Sequence, residues 1–296
     1  MKFYKRSILT LFICALILAP TTVYAQEETA TAPAATIQQL SGAAIPCENL
    51  PTSLVESIYT YLVDSFTMGL IGVDEYNQIL NSEFVSENAF FANSVFVGDS
   101  LTVGFETYCR SHSDSILTDT TYFLARVSCS ARAATSENAL TRHANIMPMY
   151  NGSVQYIEDS IAQMTDVNKV FICLGINDLT SGTPDRVISD IRTLIQRILE
   201  KRPDVKIYII SIPCVMPDVS AGSLNNTNIQ ICNILLQNTC QIMGYGFVNL
   251  SEYLMDESNA LRAEYSSDKY VHQNNRAYDI WNRVLKNYAF TEITKK

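Results

Sequence analysis

The sequence predicts an α/β fold: a five-stranded parallel sheet with helices on both faces, preceded by an N-terminal helical extension. Three observations carry this. Five short apolar, β-rich runs recur, at residues 95–97, 122–127, 170–174, 207–212 and 246–250. Helical stretches alternate with them, at 101–112, 154–164, 184–200 and 228–243, and a last helix covers about 276–288. Strands alternating with helices of this length build parallel sheets. The runs are apolar almost throughout, as expected of strands covered on both faces.

Taken in order, residues 1–25 read as a secretory signal. Lys2, Lys5 and Arg6 form its charged start, residues 8–19 its apolar run, and Val23-Tyr24-Ala25 a small-x-Ala cleavage site. The run is too short for a membrane span, and no second long apolar run follows, so no stable membrane insertion is expected after cleavage. Cys14 lacks the small-residue context of a lipoprotein signal. Residues 26–49 are rich in Ala, Thr, Glu and Gln and read as a flexible linker. In 50–90, Leu54, Ile58, Tyr61, Leu62 and Phe66 recur at helical spacing, Gly69 and Gly72 interrupt, and 73–80 resumes the pattern. This predicts a helical hairpin packed on the main domain, 91–296. Asn151 or Ser153 is placed to cap the helix at 154, and Thr183-Pro184 is a good start for the next.

The formal charge is −9 and becomes more negative once the basic signal is removed. That argues against nucleic acid or an anionic membrane surface as a partner. Of eight Cys, Cys14 leaves with the signal, and an odd number remains. No Cys-x-x-Cys occurs, so neither a zinc nor a redox motif is present. Cys173 lies in an apolar strand and reads as a buried small hydrophobe. Cys109 and Cys129 follow the first two strands and form a candidate disulfide. The 16 Tyr against one Trp suit either a carbohydrate-facing cleft or ordinary packing.

The chemistry gathers around residues 94–105, where an apolar strand runs through Gly98-Asp99-Ser100 into a helix. A Ser at such a junction stands at the carboxyl edge of the sheet, where open α/β folds place ligands. Its N–H lies at a helix N-terminus and can help hold an oxyanion. Gly98 permits the tight turn. The alternative is that Ser100 only caps the helix, with Asp99 solvated.

Three further loops share that edge: 127–130, 174–178 and 268–272. Acyl transfer needs what they hold. A Ser hydroxyl is a poor nucleophile until a base takes its proton. His272 is the natural base, and Asp268 the nearest carboxylate to orient it. The Ser100 N–H and the Asn177 side-chain amide can hold the oxyanion. Asp178 is expected to cap a turn or bond backbone. His112 and His143 have no companions at metal-ligand spacing and read as structural or exposed.

Gly98-Asp99-Ser100, Gly175-x-Asn177-Asp178 and the late Asp268/His272 pair with Asn274, Tyr278 and Trp281 resemble the GDSL, or SGNH, hydrolases. The likeness covers roughly residues 94–290. It implies a three-layer, flavodoxin-like α/β/α fold and a Ser esterase or lipase mechanism with no metal or other cofactor. By the resemblance Ser100 is the nucleophile, His272 the base, Asp268 its partner and Asn177 an oxyanion donor, supported by Gly98, Asp99 and Gly175. Two departures stand out. The family has a Gly after the second strand, whose N–H completes the oxyanion hole; here Ser128 takes that place. The family motif Asp-x-x-His is lengthened by one residue, so the loop must bulge for Asp268 to reach His272.

The expectation is an exported, bacterial Ser esterase cleaving short acyl esters, acetyl first, on small molecules or polysaccharide. The absence of a long apolar lid segment fits this better than a lipase. Alternatives are a lysophospholipase-like enzyme or thioesterase, an O-acetyltransferase using the same Ser, and a non-catalytic carbohydrate- or partner-binding protein on the same scaffold.

Overall fold

The computed structural model describes residues 89–294. The chain divides into two compact units, and Asn88–Ala289 is the one that holds the sheet. The expected signal, linker and nearly all of the expected hairpin lie outside the described residues.

Strand β1 (Ser94–Gly98) leads into helix α1 (Ser100–Ser111), then β2 (Thr121–Ala125) and two short helices, α2 (Ala131–Thr135) and α3 (Ala139–Arg142). A small hairpin, β3 (Met149–Tyr150) and β4 (Ser153–Val154), precedes α4 (Ile157–Gln163) and β5 (Lys169–Cys173). Then come α5 (Pro184–Lys201), β6 (Lys206–Ile210), α6 (Asn226–Met243), β7 (Gly246–Val248), α7 (Ser251–Leu254) and α8 (Asn275–Thr294). The main sheet has five strands in the order β2-β1-β5-β6-β7, all paired in parallel. The expected fold class is therefore observed.

The register explains why the strands read as continuously apolar. Phe123, Phe96, Phe171 and Tyr208 are register partners across four strands. Their rings stack at 5.3, 4.6 and 4.7 Å between centroids. Each such pair adds about 0.5–1.5 kcal/mol beyond area burial. Helices α1 and α8 lie over this aromatic row: Phe105 meets Phe96 edge-on at 6.2 Å, Trp281 meets Phe105 at 5.2 Å, and Tyr288 meets Tyr208 at 6.0 Å. Alternate residues such as Val95, Val97, Val170, Ile172, Ile207 and Ile209 point to the other side and are equally buried, since side chains alternate along a strand. On that second layer α5 packs against α2, α4 and α6.

Boundaries differ from expectation where turns intervene. Strand β2 ends at Ala125 rather than at 127, because the Cys129 N–H closes a turn onto the Arg126 carbonyl at 3.0 Å. The second predicted helix starts at Ile157, not at 154. Val154 is drawn into the hairpin, which turns at Asn151-Gly152 with φ of 49° and 76°. Asn-Gly is the strongest short hairpin signal in a sequence, and it overrides the expected capping role: neither Asn151 nor Ser153 caps that helix, which starts from Tyr156 without a side-chain cap. Pro184 opens α5 as expected. The candidate disulfide is also absent: Cys109 and Cys129 are buried free thiols. Cys109 lies within α1 and Cys129 under the β2 loop, each packed as a small apolar group.

Candidate active site

The order β2-β1-β5 makes β1 the point from which the chain departs in both directions. At such a switch point the loops at the carboxyl ends of adjacent strands part and leave a crevice. Ser100 follows β1 there, Ser128 follows β2 and Asn177 follows β5.

Ser100 is the first residue of α1, and the cap is Asp99. The Asp99 carboxylate accepts the Leu101 N–H at 2.9 Å. This corrects the alternative in which Ser100 caps the helix and Asp99 is solvated: Asp99 is only 2 % exposed. Relieved of capping, the Ser100 hydroxyl lies 3.2 Å from His272 Nε2. Gly98 is required by space. A Cβ there would sit 1.9 Å from Thr102 Oγ1 and 3.0 Å from the Cys173 carbonyl. Burial pushes the Asp99 carboxyl up to about 7; the Leu101 N–H opposes this, and the nearby Asp178 carboxyl adds to it.

The loop between Tyr265 and α8 carries the other two candidates. His272 Nδ1 is 2.6 Å from Asp268 Oδ2, so one imidazole joins the hydroxyl and the carboxylate. Burial would raise the Asp268 carboxyl, but bonds from the His272 ring and from the Tyr270 and His272 N–H groups outweigh it and hold it below its usual value. Those two N–H groups reach Asp268 Oδ1 at 2.7 and 3.1 Å. The extra residue between Asp268 and His272 is taken up at Lys269, whose φ is +60°. The expected bulge is thus present, as a single left-handed residue. Asn274 holds the loop closed. Its Nδ2 donates to the carbonyls of Glu264 at 2.8 Å and Ser266 at 3.2 Å, and its Oδ1 accepts the Arg276 N–H at 3.0 Å, capping α8.

Asn177 and Asp178 tie the β5 loop to the β2 loop. Asn177 Nδ2 donates to the Cys129 carbonyl at 3.1 Å and lies 3.4 Å from Asp99 Oδ2. The latter contact is long, so one amide proton is only weakly engaged. The Asp178 carboxylate spans the Ala131 and Arg132 N–H groups at 3.2 and 2.8 Å, bonding backbone at the start of α2. Burial pushes this carboxyl up to about 6 against those two bonds. Gly175, at φ +133°, adopts a backbone conformation that side chains rarely take, and a Cβ there would also displace the end of Ile212, 2.4 Å away.

Ser128 occupies the left-handed region, φ +62°, and is exposed. Its N–H has no acceptor among the described residues, whereas the Cys129 N–H is committed to Arg126. A left-handed residue is where Gly is normally preferred, which accounts physically for the Gly expected at this place. Five described non-Gly residues have positive φ, and three are Asn, which tolerates that region. The other two, Ser128 and Lys269, both sit in loops of this site. Strained backbone clusters at functional sites.

The triad candidates Ser100, His272 and Asp268 are therefore brought together, with the Ser128 and Asn177 loops beside them. His112 is at the far end of α1, stacked on Tyr108, and His143 ends α3. Among the described residues no three His, Cys, Asp or Glu side chains gather into a metal site, and no helix is long and apolar enough to cross a membrane. Two structural contributors escaped the sequence reading: the clamp by Asn274, and Met216, whose N–H donates to the Tyr270 carbonyl at 3.0 Å. An Asn just before a helical pattern is a capping signal. Nothing in the local pattern announces Met216, because its contact crosses the chain.

No curated protein matches the chain in sequence. Solved structures do resemble it. A GDSL-like lipase from Bacteroides thetaiotaomicron aligns with a TM-score of 0.50 at 19% identity, covering 71% of this chain and 97% of its own. A lipase/acylhydrolase from Enterococcus faecalis aligns at 0.46 and 14%, covering 68% and 95%. A carbohydrate acetylesterase from Sinorhizobium meliloti aligns at 0.45 and 14%, covering 68% and 97%. At these identities the likeness concerns the fold. Residues 96–280, more than half of the sequence, match the model of one family. Those residues hold Ser100, Ser128, Asn177, Asp268 and His272, and by that match the chain is a member of the GDSL-like lipase/acylhydrolase family.

Proposed function

We propose that this chain is an exported serine esterase that hydrolyses short acyl esters, acetyl esters of polysaccharide foremost, through Ser100, His272 and Asp268. The observation that carries the reading is the single imidazole held between a hydroxyl at 3.2 Å and a carboxylate at 2.6 Å.

The steps follow from that arrangement. His272 Nε2 takes the Ser100 hydroxyl proton as Oγ attacks the acyl carbon, and Asp268 holds the Nδ1 proton and stabilises the imidazolium. The carbonyl oxygen becomes an oxyanion, held by the Ser100 and Ser128 N–H groups and an Asn177 amide proton. The imidazolium returns its proton to the departing alcohol, leaving an acyl-Ser100 ester. Water then repeats the sequence with His272 as base, releasing the acid and restoring the hydroxyl. Export is supported by the basic and apolar pattern of residues 1–25.

The test is labelling of the intact chain with a fluorophosphonate, with the adduct located by mass spectrometry. A stoichiometric adduct on Ser100 that vanishes in Ser100→Ala is expected, together with hydrolysis of 4-nitrophenyl acetate. Folded protein that takes no adduct, beside a control hydrolase that does, overturns the reading.

A further inference from the structure

A second concavity lies along α1 and α8, outside the triad. It has a volume of about 510 Å³, within the roughly 300–1,000 Å³ usual for small-molecule sites. Tyr265 and Asn275, the residues on either side of the loop that carries Asp268 and His272, both line it. Its far end is the His112 end of α1. Tyr108, eight residues beyond Ser100, is about 12 Å along the helix at 1.5 Å per residue. The groove thus starts at the catalytic loop and leads away from it.

Its lining is chemically mixed. Arg276, Arg283, Asp114 and Asp279 all line it. Asp279 is held by Arg283 and by the Tyr108 hydroxyl. Arg276 and Asp114 make no ion pair among the described residues, and Arg276 is exposed. A guanidinium only donates and a carboxylate only accepts. With Asp279 and Arg283 paired, one guanidinium and one carboxylate remain, so a formal anion meets Asp114 and a formal cation meets Arg276. A neutral ligand with many hydroxyls, each able to donate and accept, satisfies both kinds of group. The groove also has a flat ring. The His112 imidazole stacks on Tyr108 at 4.0 Å and 15°, and its Nδ1 is fixed to the Tyr108 carbonyl at 2.8 Å. Such a ring suits the C–H face of a pyranose.

We infer that this groove is a glycan subsite, which binds neutral sugar units of an oligosaccharide whose ester group lies at Ser100. The inference rests on the esterase reading for the placement of the ester, and on the groove alone for the binding.

The experiment titrates the full chain carrying Ser100→Ala, which cannot turn over, with xylohexaose and cellohexaose, and with hexagalacturonate as the anionic counterpart, by calorimetry. At least one neutral hexamer is expected to bind with a submillimolar Kd and the anionic one at least tenfold more weakly. Arg276→Ala, a change of an exposed residue, and His112→Ala are each expected to weaken the neutral sugar at least tenfold. Arg276→Lys, which keeps the charge but not the fork, falls between. No binding of either neutral hexamer, equal binding of the anionic one, or undiminished binding by folded Arg276→Ala overturns the subsite. Fluorophosphonate labelling of the wild-type chain is scored separately: its failure with sugar binding intact removes the esterase reading and leaves the groove standing.

Discussion

Replacing Asp268 by Asn changes few atoms and tests the role proposed for the loop that carries Asp268 and His272. Asp268 Oδ1 accepts the Tyr270 and His272 N–H groups, and Oδ2 faces His272 Nδ1 at 2.6 Å. An Asn can keep the first role with its carbonyl oxygen. Its NH₂ then faces Nδ1 and can only donate, so the imidazole must carry its proton on Nε2, the nitrogen that has to accept from Ser100. Loss of a charge-assisted bond alone is worth about 1.5–3 kcal/mol, or roughly 10- to 150-fold in rate. Enforcing the wrong tautomer where the carboxylate is fully buried costs about 10⁴-fold. Here the Asp268 side chain is 35% exposed and that of His272 47%, so water replaces part of what is lost. The expected cost is about 100- to 1,000-fold, between those two limits. The assay is the second-order rate of fluorophosphonate labelling at Ser100, with hydrolysis of 4-nitrophenyl acetate beside it. The melting temperature should stay within about 2 °C, because the backbone ties survive. Asp268→Ala loses those ties too and should melt lower, by about 1–2 kcal/mol of stability. A folded Asn variant that labels within threefold of the wild type would refute the claim that Asp268 sets the imidazole's tautomer.

Three further predictions come from the same site. At Lys269, where φ is +60°, Lys269→Gly should stabilise by up to about 1 kcal/mol, while Lys269→Val should destabilise by about 1–2 kcal/mol and slow labelling as Asp268 loosens; equal melting temperatures for the pair would rule out a strained bulge. Ser128→Gly should likewise gain a few tenths to about 1 kcal/mol and keep full labelling, since its N–H is retained; a large loss of labelling would show that the Ser128 side chain, not its backbone, matters. Asp99, near 3.8 when unfolded and about 7 in the fold, binds more protons folded than unfolded between those values. Stability should therefore fall as pH rises from about 4 to about 7 and level off above, by at most roughly 4 kcal/mol from this group. Asp178, raised to about 6, acts in the same direction. Asp99→Asn should flatten part of that slope in urea midpoints taken from pH 4.5 to 8; matching slopes would show that Asp99 is ionised in the fold.

The sheet was legible because a strand covered on both faces must be apolar at every position, and the helices between the strands have their own period. The five strands and the positions of Ser100, Asn177, Asp268 and His272 at strand and loop ends could all be read that way. The Asn151-Gly152 hairpin is equally present in the residues, where its turn signal competes with the capping role that Asn151 and Ser153 offer. The sequence could not show the orientation of a loop. Whether the lengthened Asp268-to-His272 spacing still joins the two groups depends on Lys269 adopting a left-handed conformation, held by Asn274 from one side and Met216 from the other. The Asn274 clamp is local and carries a capping signal, whereas the Met216 restraint comes from a residue distant in sequence that no local propensity encodes. For the same reason the free state of Cys109 and Cys129, the burial of Asp99 and the groove between α1 and α8 belong to the tertiary structure. Composition and period determine which elements form and which face is apolar, whereas the meeting of side chains across loops is decided only when the elements pack.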